Sequence, residues 1–454
     1  MEHDAPVWKG VYEMTDAVEG VPSAALSPDV MAPDTGRPLT RAEKIRFGIG
    51  FCLFSVLWMT AGTSGSQVLL PQRFTNLGIG IPEAILGTMN SVGCVFALVA
   101  NVIFGALSDM SHSRLGKRTP WVVAGGIVTA LGYLYTSHAA TVTAIVAGWC
   151  LVQVGVNMMI APAVAVLSDR IPESARGTFS AFYGGGSIVG QSLGTLIGAR
   201  FIDHMQVGFI VGICLFAVTG ILTVIIWPRE RSAAGSPAAA APRGKGSGQE
   251  QGLWHRLRVS FTPPTKGSRD FYLALGGRLF MMVGSSMVAT YQLYILQKYC
   301  GLSLEASAST ISTMSVISMV VTFFASVVSG PISDRLRRRK VIVVVSSCIL
   351  ALGIALPWMF PTAVGMMCYA GIAGLGNGIY TSVDQALNVD VLPNKNEAGK
   401  DLGILNLANT LGQVIAPVLV SVLVIHAGYV FIFPVAIVMV LVGAAVIMQI
   451  RSVR

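Results

Sequence analysis

Two charged side chains stand inside otherwise apolar stretches of this sequence. Asp384 belongs to a polar run, Asn377, Thr381, Asp384 and Asn388, whose members step by four, three and four residues. Such steps place all four on one face of a helix. Arg278 stands in Gly276-Gly277-Arg278-Leu279. A charge at the centre of a bilayer costs roughly 2.5–3.5 kcal/mol on insertion scales, so a retained one marks a candidate functional group. The chemistry open to a dehydrated carboxylate is proton exchange, because desolvation opposes ionisation while a nearby arginine favours it. Asp384 is thus the candidate coupling group and Arg278 its candidate partner. The plainer alternatives are a packing role near the membrane interface for Asp384 and snorkelling to the headgroups for Arg278.

A second set is uncharged: Gln67, Asn157, Gln191, Gln292, Asn409 and Gln413, with Trp58, Tyr183, Tyr291 and Tyr294. Amides and hydroxyls in hydrocarbon must find partners, so these side chains turn toward an interior. There they suit a hydroxylated, uncharged solute, although small polar groups also serve simply to join helices. The sequence holds no nucleophile–base constellation, phosphate loop or metal-ligand spacing, so it reads as no enzyme, with no cofactor and no metal. The seven cysteines are scattered singly and read as packing residues without disulfides.

The chain is 53% apolar with 12% charged residues, at a mean hydropathy of +0.67. A membrane helix needs about 20 apolar residues. Twelve stretches qualify: 47–70, 83–107, 119–138, 141–168, 177–202, 206–227, 271–298, 304–331, 340–358, 362–389, 401–425 and 428–449. The net charge of +9 lies almost entirely in alternate loops. That is the positive-inside pattern, so the surplus reports topology rather than nucleic-acid binding, and both termini are expected in the cytoplasm. The acidic, proline-rich residues 1–45 are expected to form a disordered tail, with no cleavable signal ahead of the first span. Residues 46–228 and 270–454 are expected as two six-helix bundles, joined by a flexible Ala-, Gly- and Pro-rich linker over 229–269.

The two bundles are copies of one unit. Gly105-Ala-Leu107-Ser108-Asp109 opens a polar loop that runs on through Arg114, Gly116, Lys117 and Arg118 to Pro120. Gly330-Pro331-Ile332-Ser333-Asp334-Arg335, with Arg337 to Lys340, repeats it. Asp109 and Asp334 lie 225 residues apart, as do Gln67 and Gln292, and Gln72 and Gln297. The fourth and tenth spans both end in Asp-x-x-Pro, at Asp169 and Asp390. Strong polar groups collect in spans 1, 4, 5, 7, 10 and 11, while 6 and 12 are almost purely apolar and 3 and 9 carry few. Gly186, Gly190, Gly194 and Gly198 recur every fourth residue, a spacing that lets a neighbouring backbone approach closely.

The paired loops resemble the signature loop of the major facilitator superfamily, Gly-x-Leu-x-Asp-Arg-x-Gly-Arg-Arg. The Ser-Arg-Leu-Gly-Lys-Arg-Thr-Pro ending of the first copy is similar to the glycoside–pentoside–hexuronide and sucrose-type sugar:cation symporters. This resemblance implies an all-α membrane protein of twelve helices in two pseudo-twofold bundles, with spans 3, 6, 9 and 12 outside. It implies that Asp109 and Asp334 latch the cytoplasmic side shut and release when Arg118 or Arg339 re-pairs, with Asp169 in the same gate. Sodium-coupled members of that branch carry acids on spans 2 and 4. Here span 2 offers Thr88, Asn90 and Ser91, and span 4 offers Gln153 and Asn157, which favours a proton over sodium. The expected function is alternating-access uptake of a sugar or glycoside with a proton, by a monomer in the plasma (inner) membrane. An exporter of drugs or metabolites, and a non-transporting sensor or assembly factor, are the alternatives.

The topology is checkable. A cysteine in place of Ser247, within the linker, should resist an impermeant thiol reagent applied to intact cells. Labelling from outside above the background of the unaltered chain would reverse the orientation.

Overall fold

The computed structural model describes residues 30–230, 268–336, 338–392 and 398–451. Twelve helices follow in order: α1 (Arg41–Asn76), α2 (Pro82–Asp109), α3 (Thr119–His138), α4 (Val142–Arg170), α5 (Glu173–Arg200) and α6 (Met205–Ile226), then α7 (Arg269–Tyr299), α8 (Leu304–Leu336), α9 (Arg339–Met359), α10 (Ala363–Asp390), α11 (Ala398–His426) and α12 (Tyr429–Met448). Among the described residues nine of these are long and apolar enough to cross a membrane. The other three, α3, α5 and α10, match them in length.

The packing repeats between halves. In the first, α1 lies on α5 and α6, α3 on α4 and α6, and α2 on α4. In the second, α7 lies on α11 and α12, α9 on α10 and α12, and α8 on α10. The halves meet where α2 packs on α11 and α5 on α8, with α1 against α7. Helices α3, α6, α9 and α12 make their main contacts within their own halves. Both α1 and α7 contain a π turn, inserted within α1 at Gly65–Leu69 and closing α7 at Ile295–Tyr299.

The first helix starts earlier than its apolar run. Thr40 and Glu43 form a capping box, each side chain bonding the other's backbone N–H. Arg37 adds an ion pair to Glu43 at 2.7 Å. Ahead of it, Ala32 is buried and Asp34 pairs with Arg170 at 3.0 Å. Residues 30–45, expected as part of a disordered tail, are therefore built onto the first half. Residues 1–29 of that tail and 231–267 of the expected linker lie outside the described residues. The linker's first residues do not hang free either. The Glu230 carboxylate accepts from the backbone N–H groups of Arg118 and Thr119, at the positive start of α3.

The glycine ladder explains the closest contact in the first half. A methyl group built on Gly190 would stand 2.6 Å from the Val56 carbonyl oxygen, and one on Gly194 2.5 Å from that of Thr60. The two backbones touch, and Thr60 Oγ1 donates to the Gly190 carbonyl at 3.2 Å. Gly184, nearer the start of α5, has nothing within 4 Å of that position. Gly194→Ala should therefore destabilise the protein by about 1–3 kcal/mol through overpacking. Gly184→Ala should be neutral or gain about 0.5–1 kcal/mol from helix propensity. Thermal unfolding in detergent distinguishes the two, and equal midpoints for both variants would refute the ladder as the α1–α5 contact.

Candidate functional site

Bonds that join the halves gather at the end of the bundle away from the basic loops. Gln292 Nε2 donates to Gln67 Oε1 at 3.4 Å, and Thr195 Oγ1 reaches the same oxygen at 3.5 Å. One turn further out Gln297 Nε2 donates to Gln72 Oε1 at 3.0 Å. The repeat thus brings its own copies into contact across the pseudo-twofold axis. Tyr294 donates to the Pro71 carbonyl at 2.8 Å, and Ser91 to that of Val414 at 3.1 Å. The Tyr291 hydroxyl lies within 3.1 Å of the Glu83 carbonyl and 3.0 Å of the Pro417 carbonyl.

Glu83 itself was not among the expected groups. It is the second residue of α2, 2% exposed, and its carboxylate accepts from Lys298 and from the Tyr429 hydroxyl. This corrects the expectation that span 2 carries no carboxylate. An acid at a helix start is ordinary surface chemistry, favoured by the helix dipole, so its position masked its burial. Tyr291 is corrected too. Expected as a solute ligand, it is fully buried, and its hydroxyl closes the seam because a phenol in low dielectric seeks carbonyl oxygens.

Among the described residues, the ion pairs at the basic end join groups of the same half. Arg118 reaches Asp109, Ser108 and, at 2.7 Å, Asp169. Lys117 stands 3.4 Å from Asp109. In the second half Arg339 pairs with Asp390 at 2.8 Å. The side chain of Asp334 lies outside what the structure describes. Gln191 on α5 and Gln413 on α11 are exposed, and Gln67, Asn157 and Asn409 are half-buried. An exposed amide on a membrane helix belongs beside water rather than lipid. Asn157 is held by Asn101 at 3.1 Å and by the Gln153 carbonyl at 2.9 Å. Tyr183 stacks on Phe54 with centroids 6.3 Å apart, near Trp58 in the core of the first half.

The two internal charges meet. Arg278 Nη1 stands 3.1 Å from Asp384 Oδ2, and both side chains are 4% exposed. Arg278 Nε donates to Asn409 Oδ1 at 3.1 Å, and Asn388 Nδ2 to Asp384 Oδ2 at 2.9 Å. The snorkelling alternative for Arg278 is thereby set aside: its head turns inward to a carboxylate. Asn409, expected among the solute-binding amides, is spent on orienting this arginine. All four groups come from α7, α10 and α11, so the cluster belongs wholly to the second half.

The sequence profile described as Major Facilitator Superfamily matches residues 49–305 and again 273–453. The sucrose transport protein SUC4 of Arabidopsis thaliana is 25% identical over 181 residues, 32% of this chain and 36% of that protein. The inner membrane symporter YicJ of Escherichia coli is 33% identical over 100 residues, 21% of this chain and 20% of its own length. The chain thus spans about a third of the one and a fifth of the other. Among solved structures, the nucleoside transporter NupG superposes with a TM-score of 0.67 at 13% identity, over 89% of this chain and 99% of that one. A bacterial homologue of the lysosomal transporter Spinster gives 0.62 at 13% identity, over 91% and 95%.

The buried cluster makes a graded prediction. Arg278→Met leaves Asp384 dehydrated without a cation and should cost about 3–5 kcal/mol. Arg278→Lys keeps a charge but loses the fork that serves Asp384 and Asn409 together, and should cost about 1–2 kcal/mol. Equal losses of thermal stability in the two variants would mean that packing, not charge, fixes residue 278.

Proposed function

This chain belongs to the Major Facilitator Superfamily, and on that premise we propose that it carries a sugar or glycoside inward together with a proton. It is a multi-pass membrane transporter and not an enzyme. The proposed setting is the plasma (inner) membrane, with both termini in the cytoplasm and a monomer as the working unit. Its relatives named for sucrose transport and symport support this reading. So does the chemistry of the lining: Gln67, Asn157, Gln191, Gln292 and Gln413 offer donors and acceptors without charge, as polyhydroxylated solutes need.

The observation that carries the proton is the Asp384–Arg278 pair, an internal charge with no mate in the repeat, since Ala163 fills the matching place. Arg278 Nη1 faces the Asp384 carboxylate at 3.1 Å, so a proton taken up there would weaken the pair. The arginine would keep its bond to Asn409 while losing the carboxylate's charge. Because Arg278, Asp384, Asn388 and Asn409 lie on α7, α10 and α11, the proposed coupling shifts those helices against one another within the second half. The gate assignments follow the same logic. Asp109, Asp334, Arg118, Arg339 and Asp169 are proposed as the cytoplasmic latch, and the re-pairing of Arg118 with Asp109 and Asp169 within one half matches its released state. The domain division at 46–228 and 270–454 is proposed as the pair of bodies that rock.

The test is uptake of a labelled carbohydrate panel into vesicles, with and without an inward proton gradient. The unaltered protein should accumulate at least one member only with the gradient. Asp384→Asn, at matched expression, should lose uphill accumulation yet still exchange solute down its gradient. Normal accumulation by that variant would remove Asp384 as the coupling group and leave a uniporter or an exporter as the better reading.

A further inference from the structure

Glu83 is a carboxylate removed from water whose side-chain donors, Lys298 and Tyr429, come from the opposite half. Tyr291, donating to the carbonyl of the same residue, also belongs to that half. A buried carboxylate needs such donors to repay its lost hydration. Here a parting of the halves at this end would remove all of them at once. Lys298 differs in being 39% exposed at its side chain, with its ammonium 5.5 Å from the Tyr294 ring centroid, so it regains water readily. The pair is therefore poised between a shut state, in which the two charges need each other, and an open state, in which water serves both.

The internal repeat sharpens the point. Arg73 stands 225 residues before Lys298, and Glu305 is the second residue of α8 as Glu83 is of α2. The duplication thus supplies a mirror-image cation and acid. Arg73 is directed elsewhere: it donates to the Ser137 and Ala139 carbonyls at the end of α3 and lies 5.7 Å from the Phe209 ring. Glu305 is exposed. Of two diagonals that symmetry offers, one is occupied.

We propose that Glu83 and Lys298, completed by Tyr429, are the ionic latch that holds the non-cytoplasmic end of this transporter shut. The proposal rests on the alternating-access part of the reading above and on neither the sugar nor the proton. Once Lys298 is neutralised, closing the seam strands Glu83 dehydrated and unpaired, which disfavours closure. Once both are neutralised, that penalty disappears and closure returns.

The test needs no solute and no gradient, so its outcome is separate from the transport assays. In a cysteine-free background, Ser91→Cys places a thiol in the α2–α11 seam, where Ser91 now meets Val414. Its reaction with an impermeant reagent reports opening of that end. Lys298→Met should speed labelling by about tenfold or more. Glu83→Gln combined with Lys298→Met should return it to within about threefold of the parent. Slow labelling in the Lys298→Met variant would overturn the latch. Labelling that stays fast in the double variant, with the protein monodisperse, would also overturn it, because packing rather than charge would then hold the seam.

Discussion

A polar group inside a bilayer has no water to fall back on, and nearly every feature of this molecule follows from that constraint. Serine and threonine hydroxyls meet it locally by bonding a carbonyl three or four residues back, as Thr129, Thr136 and Thr219 do. Amides have two ends to satisfy, so Asn157 bonds both the Gln153 carbonyl of its own helix and Asn101 of another, and Gln72 bonds both Asn76 and Gln297. Charges ask for more still. Arg278 and Asp384 are tolerable only as a pair, trimmed by Asn409 and Asn388. Helices that carry such groups are drawn together, and helices without them are left at the periphery.

Duplication supplies the parts twice, but the two copies are not used alike. The paired glutamines on α1 and α7 meet at the axis because identical donors and acceptors can serve one another there. Asp384 has no counterpart, so the Asp384–Arg278 pair exists in one half only. Arg73 and Lys298 descend from one position, yet the first braces α3 and the second crosses the seam. Symmetry thus fixes where the elements lie, while departures from it mark where the halves do different work.

Much of this was legible in the sequence because periodicity and offset are strong signals. The 225-residue register of loops and glutamines specified two copies, and the polarity of each span separated inner from outer helices. The spacing of Asn377, Thr381, Asp384 and Asn388 put the charge on one helical face. What stayed hidden depended on partners that no spacing reveals. Glu83 looked like an ordinary acid at a helix start, and Asn409 like one more amide for a solute. The start of α1 at Arg41 was written locally, in Thr40-x-x-Glu43, but the acidic, proline-rich residues before it drew the reading toward disorder. Tyr291 lay in the right helix for a ligand, and only the three-dimensional path of α2 and α11 turned its hydroxyl into the seam.

The wide turn in α1 bears on how that helix is to be read at all. A π turn holds one residue more than the regular helix would, and each regular residue advances the spiral by about 100°. The stripe of side chains facing a given neighbour therefore changes phase at Gly65–Leu69. A helical wheel drawn through the whole of α1 superimposes two different faces. The helix behaves as two shorter ones sharing an axis, whose inner and outer portions answer to separate constraints, so sequence drift in one need not be matched in the other.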